Sequence, residues 1–273
     1  MVFSFRVLIQ TVVFVACSCL GTITSASTAI LPSTQALSLV IKEITKETLL
    51  PLVPANASPH DFSLKPSHIM RIQKAQLVIW LGPELEPYLA KVMSRIPSHK
   101  QFIINHEGLP LGYGRHPWTN PEYLLKGMLA LSQHMGIAWD SAAWQQQMDA
   151  LKTQIQSHRS QLLKNKQGYL VYHDGIDGFE SYFGLEHLAS FTNSDDQPPG
   201  AKALAAIAKL AKEQKVACIL TDHETKPKLI NAVIGPEVER IQIDILARNS
   251  TSLTSYIAKL GQAMLDCGRV IEL

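Results

Sequence analysis

A rhythm running from residue 28 almost to the C terminus constrains this chain most: short apolar runs alternate with amphipathic stretches. In the first half, residues 28–31, 48–53, 76–81 and 101–105 read as strands, with helices predicted over 35–44, 67–74 and 84–95. The second half repeats the pattern, with strands at 168–172, 187–191, 217–221 and 239–243 and helices near 178–183, 201–214, 226–233 and 252–265. Such alternation predicts an α/β fold with parallel, doubly wound sheets and helices on both faces. Two lobes, each with a mostly parallel four-stranded sheet, account for the two series.

The region between the halves reads differently. Residues 120–134 form one predicted helix, with Pro121 and Glu122 suited to its first turn. Asp140 then caps a longer helix running to about Lys164. Its Trp144, Met148, Leu151, Ile155 and Leu162 share one face. The implied organisation is an N-terminal lobe over 27–139, a rigid linking helix over 140–165 packed on both lobes, and a C-terminal lobe over 166–273.

The first 26 residues stand apart. Arg6 is their only charged side chain, residues 7–20 are nearly all apolar, and Thr24-Ser25-Ala26 supplies a small-residue exit. This is the pattern of a secretory signal cleaved after Ala26, too short to read as a membrane span. The alternative is a lipoprotein signal with Cys17 acylated. Export changes how the cysteines are read. Only Cys218 and Cys267 survive cleavage, and two thiols in an oxidising compartment most simply form one disulfide, with two separate buried thiols as the alternative. Over the whole chain, 25 basic residues against 23 acidic ones leave a net charge of +2, which offers no footprint for nucleic acid.

Position singles out three of the ten histidines. His60 lies in the loop after the 48–53 run, His116 in the loop after 101–105, and His173 at the end of Tyr169-Leu170-Val171-Tyr172. In open parallel sheets ligands bind outside the carboxyl ends of the strands, where these three belong. Asp244 ends the last strand and joins the same edge. Three imidazoles and a carboxylate form a donor set that zinc accepts in tetrahedral geometry, whereas calcium and magnesium want more oxygens.

The local sequence around these positions resembles the solute-binding proteins of zinc ABC importers, a metal-receptor family with manganese-binding relatives. The likeness begins at Ser58-Pro59-His60-Asp61-Phe62-Ser63-Leu64-Lys65-Pro66 and continues through Ala75-Gln76-Leu77-Val78-Ile79-Trp80-Leu81-Gly82-Pro83-Glu84-Leu85-Glu86. It returns at His116-Pro117-Trp118-Thr119-Asn120-Pro121-Glu122, at Tyr172-His173-Asp174 and at Tyr182-Phe183-Gly184-Leu185. The resemblance implies two α/β lobes bridged by a long helix, with the ion in the cleft between them. It implies that His60, His116 and His173 bind zinc, with Asp244 as a fourth ligand, and that Cys218 and Cys267 are bonded. It further implies a monomeric periplasmic carrier that delivers its ion to an ABC importer permease.

The sequence also departs from that family. Pro59 stands where zinc receptors can carry an acidic residue. The long acid- and histidine-rich loop of the zinc branch is reduced to residues 105–115, with only His106 and Glu107. Asp222-His223-Glu224 replaces a glutamate–proline pair, so His223 or Glu224 could substitute as the fourth ligand, as could water. Asp174 is a candidate hydrogen-bond acceptor for His173, and Trp118, Tyr172 and Phe179 read as core or cleft lining. Two other classes remain as alternatives: a manganese receptor or surface adhesin of the same family, and a zinc hydrolase. The hydrolase reading lacks an H-E-x-x-H signature and a general base beside the ligand loops.

Overall fold

The computed structural model describes residues 30–57, 62–104, 115–192, 199–213, 215–223 and 225–268. Residues 1–26, expected from the sequence to direct export, lie outside these residues, as do His60 and Glu224. Two parallel sheets organise the chain. The first joins β1 (Ile30–Pro32), β2 (Leu77–Trp80) and β3 (Gln101–Ile103) in that order. The second joins β4 (Gly168–His173), β5 (Ala189–Thr192), β6 (Val216–Thr221) and β7 (Glu239–Gln242) in the order β5-β4-β6-β7. Every pairing is parallel, as the alternation of strands and helices requires.

One expected strand is absent. Residues 48–53 run beside the end of β1 without forming a strand, so the first sheet has three strands among the described residues rather than four. Two backbone–backbone bonds hold this segment, from Leu52 N to Pro32 O at 2.8 Å and from Val53 N to Ser33 O at 2.9 Å. Pro51 and Pro54 bracket it and have no N–H to give, so a longer ladder cannot form.

The helices follow the apolar periodicity. Helix α1 (Gln35–Thr45) buries Leu37, Val40, Ile41 and Ile44, the spacing of one helical face. α2 (Pro66–Lys74) and α3 (Pro87–Met93) flank the first sheet, and each opens on proline, whose fixed φ suits a first turn. α4 (Pro121–His134) is capped by Asn120, whose Oδ1 accepts the N–H groups of Glu122 at 2.8 Å and Tyr123 at 3.0 Å. The long α5 (Ala142–Lys164) buries Trp144, Met148, Ile155 and Leu162, with Leu151 only partly covered. It packs on α6 (Asp177–Phe183) and α9 (Leu253–Asp266), both in the second half. A Cβ at Gly261 would lie 2.6 Å from Leu151, so α9 approaches α5 more closely than any side chain there would allow. α7 (Ala201–Lys212) and α8 (Pro227–Ile234) complete the second half. Trp144, Met148 and Ile155 join one large core cluster with Leu37, Ile79 and Leu124 of the first half and Val171, Phe179 and Tyr256 of the second.

Cys218 on β6 and Cys267 just past α9 form a disulfide, with Cα atoms 5.3 Å apart and both residues fully buried. It ties the last helix to a central strand. Closing the 49-residue separation restricts the unfolded chain, a stabilisation of about 4 kcal/mol in the chain-entropy account. No helix among the described residues is long and apolar enough to cross a membrane.

Candidate metal site

In the second sheet the order is β5-β4-β6-β7, so the chain leaves β4 toward β5 on one side and leaves the adjacent β6 toward β7 on the other. That is the switch point at which open α/β sheets bind ligands. His173 is the last residue of β4, and Asp222 directly follows β6. Their side chains meet, with His173 Nδ1 3.7 Å from Asp222 Oδ2. Asp222 is itself held by Thr225, whose Oγ1 donates to Asp222 Oδ1 at 3.1 Å and accepts from Asp222 N at 2.9 Å.

His116 arrives from the first half. A 3-10 turn over Pro117–Thr119 follows it, and the His116 carbonyl accepts Thr119 N at 2.9 Å and Thr119 Oγ1 at 2.8 Å. The turn is fastened to the second half at several points. Trp118 Nε1 donates to Ile245 O at 2.9 Å, Asn120 Nδ2 to Gly178 O at 2.9 Å, and Phe179 N to Thr119 Oγ1 at 3.1 Å. Gly178 makes this docking possible. A Cβ there would sit 2.7 Å from Thr119 Oγ1 and 2.9 Å from His116 O.

The result is a pair of buried imidazoles. His116 and His173 are 1% and 7% exposed, and their ring centroids lie 5.0 Å apart, edge to face. Two imidazoles bound to one tetrahedral zinc through nitrogens at roughly 2.0–2.1 Å have centroids roughly 5 Å apart. Each ring also turns Nδ1 toward a carboxylate: His173 toward Asp222, and His116 toward Asp177 Oδ1 at 3.5 Å. A carboxylate beside one ring nitrogen fixes the tautomer and leaves the other nitrogen, here Nε2, as the donor for a metal. Trp118 packs edge-on against His116 with centroids 5.2 Å apart and covers it with apolar surface.

Asp177 opens α6 and is well supplied with donors. Arg115 N reaches Oδ2 at 2.6 Å and Gly178 N reaches Oδ1 at 2.9 Å. Burial works to raise its carboxyl, but His116 and these two N–H groups outweigh it and hold the group below the usual aspartate range. The site therefore keeps an ionised carboxylate next to His116.

The other residues singled out in the sequence occupy varied places. His60 is outside the described residues. Asp244 is half-buried, and its Oδ2 accepts Asn249 N at 2.8 Å, closing its own loop. It lines a cleft of about 390 Å³ with Tyr256, Lys259 and Asp266 of α9. His223 is exposed and pairs with Arg248. Asp174, expected to serve His173, belongs to a different group of side chains, and Asp222 takes that place. Trp118, Tyr172 and Phe179 are buried, as expected for lining residues. Asp177 and Asp222 were not legible as partners of the histidines. Asp222 had only its strand-end position as a signal, and Asp177 only its place in the first turn of a helix.

The family model for zinc-uptake complex component A, periplasmic (ZnuA), matches residues 30–264. The chain belongs to this family. Family membership makes it a periplasmic zinc-binding component of a zinc-uptake system, with zinc as cargo. It is 26% identical over 297 residues to the high-affinity zinc uptake system protein ZnuA of Yersinia pestis, covering 89% of this chain and 92% of that one. It is 29% identical over 297 residues to the protein of the same description from Haemophilus ducreyi, covering 90% and 94%. A crystal structure of ZnuA superposes with a TM-score of 0.69 at 18% identity, covering 88% of this chain and 98% of the other, a likeness of fold.

Proposed function

We propose that this chain captures one zinc ion outside the cytoplasm through His60, His116 and His173 and hands it to the permease of an ABC importer. The observation that carries this reading is the buried His116–His173 pair, 5.0 Å between centroids, with a carboxylate facing Nδ1 of each ring. A fourth ligand completes the set; Asp244 is the candidate from the sequence, while Asp222, which faces His173 Nδ1, orients that ring. Imidazole donors favour zinc over manganese in the ordinary affinity order. The chain acts as a monomeric carrier and not as an enzyme, since uptake needs only capture, protection and release. Residues 1–26 direct export, with lipidation at Cys17 as the variant form. The lobes divide at 27–139 and 166–273, consistent with the two separate sheets.

Calorimetric titration with zinc tests the site. His60→Ala, His116→Ala and His173→Ala are each expected to weaken binding by about a hundredfold or more, since even the partners of metal ligands contribute about 10–100-fold. Wild-type affinity in any of the three removes that histidine from the site. Asp244→Ala tests the fourth ligand, and wild-type affinity in that variant removes Asp244 from the set.

A further inference from the structure

A second group of ligand-type side chains lies one residue beyond His173. Glu180 is on α6, and its Oε1 accepts the Tyr169 hydroxyl at 2.6 Å. Helix α6 ends at Gly184, whose φ of 68° reverses the chain, and Leu185 N bonds back to Glu180 O at 2.9 Å. That reversal returns His187 to the helix, with Nδ1 2.9 Å and 3.0 Å from the two Glu180 oxygens. Asp174 comes from the end of β4. Its Oδ1 is sealed from solvent and has no hydrogen-bond partner among the described residues. One ligand atom from each of Asp174, Glu180 and His187 lies within 4.8 Å of the others.

A carboxylate oxygen withdrawn from water with no donor is costly unless a cation satisfies it. The charges around it make the same point. Asp174 lies near the carboxyl groups of Asp177 and Glu180 and the imidazole of His187. His187 faces Glu180, Asp174 and Glu186. A protonated His187 supplies one positive charge to this group, whereas a divalent cation supplies two and draws on the imidazole lone pair as well. Two carboxylates and an imidazole suit zinc, whose nitrogen and oxygen ligands sit roughly 2.0–2.2 Å away and thus roughly 3.4 Å from one another. Modest side-chain rotation closes the present spacing to that value. The His187 side chain is 19% exposed, which leaves a way in from solvent.

We propose that Asp174, Glu180 and His187 form a second zinc site beside the His116–His173 pair. It binds more weakly than the first, because zinc must displace the hydrogen bonds between His187 and Glu180. The site does not depend on the assignment of the first one, and its test is separable.

The probe is zinc alone, added to the full-length mature chain and followed by native mass spectrometry and calorimetry. Wild type is expected to take up a tight and a weaker equivalent. His187→Ala and Asp174→Asn should each weaken the second step by more than about tenfold and leave the first in place. His116→Ala should do the reverse. Asp174→Asn keeps the Tyr169–Glu180–His187 hydrogen bonds, so it reports on the site even if His187→Ala disturbs folding. A wild-type chain with no weaker step, or a weaker step unchanged in both variants, overturns the proposal. The group would then be a buried carboxylate neutralised by a protonated histidine. Loss of the tight step alone bears on the first site and not on this one.

Discussion

Each half of the molecule buries a glutamate next to its strand ends, and the two are treated differently. Glu86, in the first half, receives Ser33 Oγ at 2.8 Å, Leu81 N at 2.6 Å and Tyr88 Oη at 2.6 Å. Glu180, in the second half, receives Tyr169 Oη and the titratable ring of His187. Glu86 is thus closed off by neutral donors that tie β1, β2 and α3 together. Glu180 keeps an ionisable partner, and a second carboxylate stands nearby. The same residue type serves as a clamp in one place and as a possible ligand in the other. Its neighbours make the difference, since a carboxylate saturated with N–H and O–H donors has little left to give a cation.

The largest expected effect sets the stapled half against the unstapled one. Replacing Cys218 and Cys267 together by serine should lower stability by about 4 kcal/mol in urea unfolding. Zinc affinity of the remaining folded protein should stay within a few-fold of wild type, because neither cysteine touches the site. A large affinity loss would mean that the disulfide positions His173.

Glu86→Ala should cost about 3 kcal/mol, since it leaves several buried donors without an acceptor. Both zinc equivalents should persist in the folded fraction. If Glu86→Ala removes a zinc equivalent, the contrast between clamp and ligand fails. Asp177→Asn and Asp222→Asn probe the carboxylates behind the two histidines, and each should weaken the tight zinc step by about 10–100-fold. Unequal losses would show which histidine relies more on its partner.

The smallest effects are in the pH dependence of the metal-free protein. Burial, offset in part by Tyr88, Leu81 and Ser33, raises the Glu86 carboxyl. A raised folded value means that its contribution is full below about pH 4.3 and is lost as pH climbs through the higher folded value. For His187, burial pulls downward, but Glu180 and Asp174 outweigh it and the net shift is upward. Its contribution is full below about pH 6.5 and fades above that. Asp177 is held low, so its contribution is present above about pH 3.9 and lost as the solution becomes more acid. Stability against pH for Glu86→Gln, His187→Gln and Asp177→Asn should flatten these three windows one by one. A variant that leaves its window unchanged breaks the assignment.

The alternation of apolar runs was enough to place all seven described strands within about two residues and to give their parallel arrangement. Strand periodicity and helix periodicity are local, and the rule that parallel strands need crossovers does the rest. Where a local rule was outweighed by another, the reading slipped. Residues 48–53 have strand-like side chains, yet Pro51 and Pro54 remove the donors that a ladder needs. The α5 stripe was read correctly as a buried face, but only the folded chain shows that α6 and α9 cover it.

At the site, strand-end position picked out His116 and His173, because in this architecture the carboxyl edge is where ligands collect. Their partners were out of reach. Asp177 lies 61 residues from His116, and Asp222 lies 49 from His173. Nothing in either local sequence marks them as acceptors for imidazole. The sequence by itself determined the α/β class and the cysteine pair, since each rests on residue type and short-range order. Tertiary structure alone decided which carboxylate faces which ring, and whether a buried glutamate is saturated or left open. Those outcomes depend on distances between segments far apart in the chain, which only the packing of the two sheets sets.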